Sequence, residues 1–489
     1  MKKLVNLSIL FNFSINRQLV NSSTNKKNMR KLLLATALGL CTLAMHAQQV
    51  APFKAGDRVA FVGNSITDGG HYHSYIWLYY MTRFPQQRMW MANCGIGGDT
   101  AENILRRLDG DVFSKRPNVI TLTFGMNDSG YFEYNGDNAE EYGNRQVAKS
   151  RENFLQIEKR LKGAADIRKV MIGTSPYDQS STFNDNIFKN KNDYMKKIIA
   201  FQDSAARANG WEMVDFNAPM LEVNAREQAK DPKFTLIGND RVHPDNDGHM
   251  YMAYLFLKAQ GMAGKPVARL GYDSKKKAAI EENCTVSNVH IQKGTVTFDY
   301  TAEALPYPLD TIAHGWGFKR PQADIMKFCP EFMDEMNREE LKVTGLKGQY
   351  RLLIDNILID TLSARQLQEG VNLACYRHTP QYQQACKVMV LNEERWEIER
   401  RFRDYAWLQY NFFMPRGLLD VNDEHAAEVF REGEKKDGWV AARRELYDKM
   451  IHQEVREAYI AEMDLLVDRI YQLNQPKTRA VRLEPVKKL

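Results

Sequence analysis

RVAFVGNSITDGG, residues 58–70, joins an apolar, β-rich run to a turn of small residues, with a serine, Ser65, set just past the end of the run. A run of this kind fits a strand buried on both faces, as in a parallel sheet. The residues leaving the carboxyl end of such a strand are where open α/β sheets meet their ligands. Ser65 is then either a turn residue or helix N-cap, the ordinary use of serine there, or a nucleophile. The rest of the chain has to decide.

Five short β-rich runs, RVAFVG, MWMANCG, NVITLTFG, KVMIGTSPY and WEMVDFN, alternate with helical stretches from HSYIWLYYMTRF through TAENILRRL, ENFLQIEKRL and YMKKIIAFQDSAARANG to GHMYMAYLFLKAQG. This alternation predicts an α/β fold over residues 50–264, a three-layer α/β/α sandwich on a five-stranded parallel sheet. Further on, CTVSNVHIQKGTVTFDYT (284–301) reads as a hairpin. LKVTGLKGQYRLLIDNILIDTL (341–362) adds two or three strands around the Lys347-Gly348 and Asp355-Asn356 turns, giving a small antiparallel β module over 280–375. Residues 376–475 read as long helices, in which Ile451, Val455, Tyr459, Met463, Leu466 and Ile470 form one apolar stripe expected to be core.

With 489 residues, 44% hydrophobic and 26% charged, the chain has the composition of a folded protein of more than one domain. Its net charge of +6 is accounted for by seven Lys and Arg within residues 1–47, which hold no acid. The near-neutral remainder gives no ground for a nucleic-acid partner. MRKLLLATALGLCTLAMHAQ, from Met29, has a basic start, a short apolar run and small residues up to Ala47. It predicts a signal peptide over 29–47, preceded by an upstream segment 1–28, and an exported protein, periplasmic or extracellular, with no integral membrane span. Five cysteines beyond it are odd in number and widely spaced, which fits neither a disulfide framework nor a CxxC metal site.

Three further stretches fall at strand ends or on the last loop: NCGIGGDT (93–100), FGMND (124–128) and DRVHP (240–244). A phosphate-binding loop is not in view, since GxGxxG and GK[ST] are absent. Acyl transfer needs a hydroxyl, a base, a group to orient the base, and donors aimed at the developing oxyanion. Ser65 supplies the hydroxyl, His243 the base and Asp240 its orienting carboxylate, while the backbone N–H groups of Ser65 and Gly98 and the amide of Asn127 supply the oxyanion hole. Tyr72, His73 and Asp128 are expected at the substrate rim. Tyr72, Tyr75 and Tyr79 share a helical face as either a sugar-stacking platform or packing. His71 and His73 have no acidic or thiol companion at ligand spacing, so no metal or other cofactor is expected. His249 is expected to be structural.

In these blocks the sequence resembles the SGNH hydrolases, a branch of the GDSL esterase/lipase group: GNSIT, GGDT, GMND and DRVHP follow the family's order, over about residues 56–262. The resemblance implies a flavodoxin-like sheet and a serine esterase without cofactor, acting on a small-molecule or polysaccharide ester, first of all by O-deacetylation of a carbohydrate. Alternatives are a lysophospholipase or thioesterase with the same machinery, and a glycan-binding protein that keeps the fold without catalysis. Asn64 stands where the GDSL form has Asp. Of two adjacent glycines, Gly98 is taken as the oxyanion donor because the family's glycine directly precedes Asp-Thr. The C-terminal β and helical regions carry no readable motif.

Overall fold

In the computed structural model, which describes residues 50–314 and 318–486, β1 (Arg58–Gly63) lies between β2 (Trp90–Gly95) and β3 (Val119–Phe124). The upstream segment and signal peptide expected over 1–47 fall outside the described residues. With β4 (Arg168–Gly173) and β5 (Glu212–Asp215) the sheet has the order β2-β1-β3-β4-β5, and every pair is parallel. Val59 and Phe61 face one core, Ala60 and Val62 the other, which is the strand alternation of a sheet covered on both sides. Between the strands run α1 (Ser65–Asp68), α2 (Tyr72–Arg83), α3 (Ala101–Arg107), α4 (Ala139–Gly163) and α5 (Lys191–Asn209), followed by α6 (Asn217–Gln228) and α7 (Asn246–Ala259). The three-layer sandwich is as the sequence predicts.

The β region is larger than expected. It opens with β6 (Ala268–Asp273) and β7 (Ala278–Glu282), continues through β8 (Cys284–Gln292) and β9 (Thr295–Ala302), and after α8 (Phe332–Met336) adds β10 (Glu339–Val343), β11 (Gln349–Ile354) and β12 (Ile357–Ser363). Then come α9 (Ala364–Glu369) and the short β13 (Val371–Asn372). The hairpin turn at Asp355-Asn356 forms as read, with φ of 51° and 64°. One sheet, β13-β10-β6-β7, contains a parallel pair, β6 with β10; the other, β12-β11-β14-β9-β8, is antiparallel. Both enclose one core. Strand β14 (Arg479–Pro485) returns from beyond the helices to lie between β9 and β11.

The helical region consists of α10 (Pro380–Trp407), which runs on into a wider turn at Leu408–Phe413, then α11 (Glu424–Glu434), α12 (Gly438–Ala441), α13 (Arg444–Met450) and α14 (Gln453–Leu473). Within the long helices expected over 376–475, the stretch 438–473 is broken after Ala441 and again at His452, which takes an extended ψ of 122°. The breaks let Tyr447 and Met450 pack into a satellite core with Phe412 and Phe430, while Val467 and Ile470 join the main core. The rest of the stripe is half-buried. Helices α7 and α10 both pack on α2, which is buried along its whole length. All five described cysteines are free, with Cys375 exposed.

Candidate active site

The turn after β1 is tight because Gly63 has no side chain: a Cβ there would lie 2.2 Å from Thr67 Oγ1. Asn64 caps the single-turn α1, its Oδ1 accepting from Ile66 N–H at 3.0 Å. Ser65 thus opens the helix at the edge of a cavity. Its Oγ lies 2.7 Å from His243 Nε2, and His243 Nδ1 lies 2.5 Å from Asp240 Oδ2.

The DRVHP loop is built to hold that geometry. Asp240 Oδ1 accepts from the backbone N–H groups of Val242 and His243, each at 3.0 Å. Burial pushes the Asp240 carboxyl up, but hydrogen bonding and charge from His243, with these backbone donors, hold it below the usual carboxylate range. Arg241 between them has φ of 66°, a left-handed conformation that costs a non-glycine residue about 1–3 kcal/mol. Its buried guanidinium offsets that strain by donating to the carbonyls of Asp178 and Ser181 and to Asn184 Oδ1, at 3.0, 2.9 and 3.1 Å.

The three expected oxyanion donors leave three adjacent strands: Ser65 after β1, Gly98 after β2 and Asn127 after β3. Gly98 has φ of 86° and open space where a Cβ would stand. Asn127 is oriented from both ends, donating to the Asp99 carbonyl at 2.9 Å and accepting from Tyr131 Oη–H at 2.6 Å. Its second amide N–H is left for the cavity. Lys191, fully buried, holds the loop from below through Met126 O and Ser129 Oγ, both at 2.6 Å, and burial pushes its ammonium well below the usual range.

Ser65, Gly98, Asn127, Asp240 and His243 all line one cavity of about 960 Å³. Its wall also carries residues that sequence reasoning missed: Tyr131 and Phe132 after β3, and Arg400, Trp407, Trp439 and Arg443 from the helical region. The crowding of Trp and Arg in RWEIERRFRDYAW was the available signal. It was silent on which face meets the cavity.

The rim residues expected from sequence are not at the rim. Tyr72 is 0% and His73 2% exposed, because α2 has no solvent face; Tyr72 packs against Phe61 and Phe216, and His73 Nε2 meets the Thr67 carbonyl. Tyr75 and Tyr79 are likewise packing. Asp128 is buried and accepts from Ala101 N, Gly125 N and Ser150 Oγ, tying the β3 loop to α3 and α4. His71 stacks on Trp396 and meets Glu393 Oε1 at 2.9 Å, whereas His249 is buried on α7 and also touches the cavity.

A hydroxyl, imidazole and carboxylate in hydrogen-bond contact, with Gly98 and Asn127 lining the same cavity, form an arrangement able to carry acyl transfer. The family model for the GDSL-like lipase/acylhydrolase family matches residues 61–251, and that of the diltiazem deacetylase C-terminal helical domain matches 386–475. The chain belongs to the GDSL-like lipase/acylhydrolase family and is an ester hydrolase. It is similar over its length to the solved structure of a gut microbial diltiazem-metabolizing enzyme, at 56% identity and a TM-score of 0.88, covering 90% of this chain and 100% of that one. An acetylxylan esterase of Geobacillus stearothermophilus is 24% identical over 227 residues, 42% of this chain and 95% of that enzyme.

Proposed function

We propose that the protein is a serine deacetylase that removes acetyl from an O-acetylated, aromatic small molecule through an acyl-enzyme. The observation that carries it is the unbroken run of contacts from Ser65 Oγ through His243 to Asp240 on one wall of a cavity of drug-sized volume. Ser65 Oγ attacks the ester carbonyl carbon as its proton passes to His243 Nε2. Asp240 accepts from Nδ1–H and steadies the imidazolium. The N–H groups of Ser65, Gly98 and Asn127 receive the oxyanion. Collapse breaks the bond to the alcohol, which leaves with the proton from Nε2, and a water deprotonated by His243 then releases acetate from Ser65.

The choice of acetyl is supported by the match to the diltiazem deacetylase C-terminal domain and by the acetylxylan esterase relative. The choice of an aromatic alcohol is supported by the diltiazem-metabolizing relative and by Tyr131, Phe132, Trp407 and Trp439 on the cavity wall. A carbohydrate alcohol, expected from the sequence, uses the same chemistry, and the same rings can stack on a sugar. The deciding assay follows acetate release from diltiazem and from acetylated xylooligosaccharide, with the Ser65→Ala variant beside each. Expected are turnover of diltiazem with kcat/KM at least about tenfold above the sugar ester and loss of both activities in the variant. The reverse preference overturns the aromatic alcohol, and hydrolysis that survives Ser65→Ala overturns the nucleophile.

A further inference from the structure

The peptide joining Gly97 to Gly98 is planar and trans, so its C=O and N–H point in opposite directions. Whatever holds the Gly97 carbonyl therefore aims the Gly98 N–H. That carbonyl accepts from Trp407 Nε1 at 3.1 Å, a donor at the end of α10, outside the α/β sandwich. Among the described residues no acceptor takes the Gly98 N–H, which lies on the cavity wall. A glycine on each side makes the peptide easy to turn over, since neither has a Cβ to resist the change in φ and ψ.

The preceding peptide is also held from α10. Gly97 N–H donates to Asp68 Oδ2 at 3.0 Å, and Asp68 Oδ1 is paired at 2.5 Å with Arg400. One helical turn along, the buried Arg403 donates to Gly95 O at 2.9 Å and Asn93 O at 3.1 Å. Trp407 is itself fixed by Arg443, whose guanidinium lies 4.3 Å over the indole and is paired with Asp404 at 2.9 Å.

We infer that Trp407, seconded by Arg400 through Asp68, is a positioning residue for catalysis: its indole N–H locks the Gly97–Gly98 peptide so that the Gly98 N–H faces the oxyanion. The helical region is then a working part of the oxyanion hole as well as a wall of the cavity. The inference rests on the serine esterase reading above.

The test is Trp407→Phe, which keeps an aromatic ring and removes the donor, measured with p-nitrophenyl acetate and a trifluoromethyl ketone as oxyanion mimic. Expected is a fall in kcat of about tenfold, short of the 10²–10³-fold loss from deleting a donor outright, with KM changed less than about twofold. Affinity for the ketone falls in parallel, and circular dichroism and Tm stay near wild type. Arg400→Lys, which keeps the pair with Asp68, retains more kcat than Arg400→Met. Unchanged kcat and ketone affinity in Trp407→Phe overturn the inference, and so does a rise in KM alone, which makes Trp407 a substrate contact. Ser65→Ala in the same assay separates this failure from failure of the esterase reading, because only the latter leaves that variant active.

Discussion

Asn127 sits between two fixed partners, so its removal is a clean probe of the oxyanion hole. Asn127→Ala is expected to lower kcat by roughly 10²- to 10³-fold with little change in KM, because a donor aimed at developing charge acts on the transition state. A rise in KM with kcat intact would mean that it binds the ground state. Asp240→Asn loses the acceptor that fixes the His243 tautomer, and kcat should drop by roughly 10⁴-fold at unchanged fold, read by steady-state kinetics beside a Tm. Full activity in that variant would remove Asp240 from the machinery. These residues were legible in the sequence because each block is local: a strand end, one or two small residues and one functional group. Tyr72 and His73 misled because their visibility as a polar and aromatic pair says nothing about burial. What buries α2 is the sheet on one side with α7 and α10 on the others, the last more than 300 residues further on.

The join between the β region and the helices has its own chemistry. Glu339 at the start of β10 is fully buried, accepting from Tyr300 Oη–H of β9 at 3.0 Å and Gln381 Nε2 of α10 at 3.1 Å. Burial pushes its carboxyl from an ordinary 4.5 to about 7, against the opposing pull of those hydrogen bonds. The unfolded chain releases this proton near 4.5 and the folded one near 7, so between those values the unfolded state binds fewer protons and stability falls as pH rises. The loss amounts to about 3 kcal/mol and levels off above the upper value. Glu339→Gln should flatten that slope, seen as a Tm difference from wild type that grows from about pH 5 to about pH 8. A constant difference would mean that Glu339 is charged in the fold. Gln381 Oε1 is itself buried without a partner among the described residues. None of this was readable beforehand, because EELKV looks like any short strand and burial of its first residue depends on a helix it does not touch in sequence. The parallel sheet and the Asp355-Asn356 hairpin were readable, being set by residues within one or two turns of chain. Likewise β6 and β14 were missed because ARLGYD and RAVRLEP alternate around arginines, which mask their apolar faces.

The whole chain is tied together by elements that meet late. The buried side chains Arg107, Asp111 and Arg403 share charge, with Asp111 Oδ2 accepting from both guanidinium groups at 2.6 and 2.8 Å, so α3 and α10 are held across the exits of β1 and β2. Removing one member leaves an uncompensated buried charge. Asp111→Ala is expected to cost about 3–5 kcal/mol, read by urea denaturation, and a loss below about 1 kcal/mol would count against the network. Strand β14 has a different kind of consequence. Because β9 and β11 do not pair with each other but with β14, their facing edges stay unmatched until residue 485 has emerged from the ribosome. A nascent chain stopped short of that point carries two bare strand edges, the state most prone to aggregate or to be taken by a chaperone or protease. Closure of this sheet is therefore a late event in synthesis: a chain interrupted before β14 leaves the edges of β9 and β11 bare.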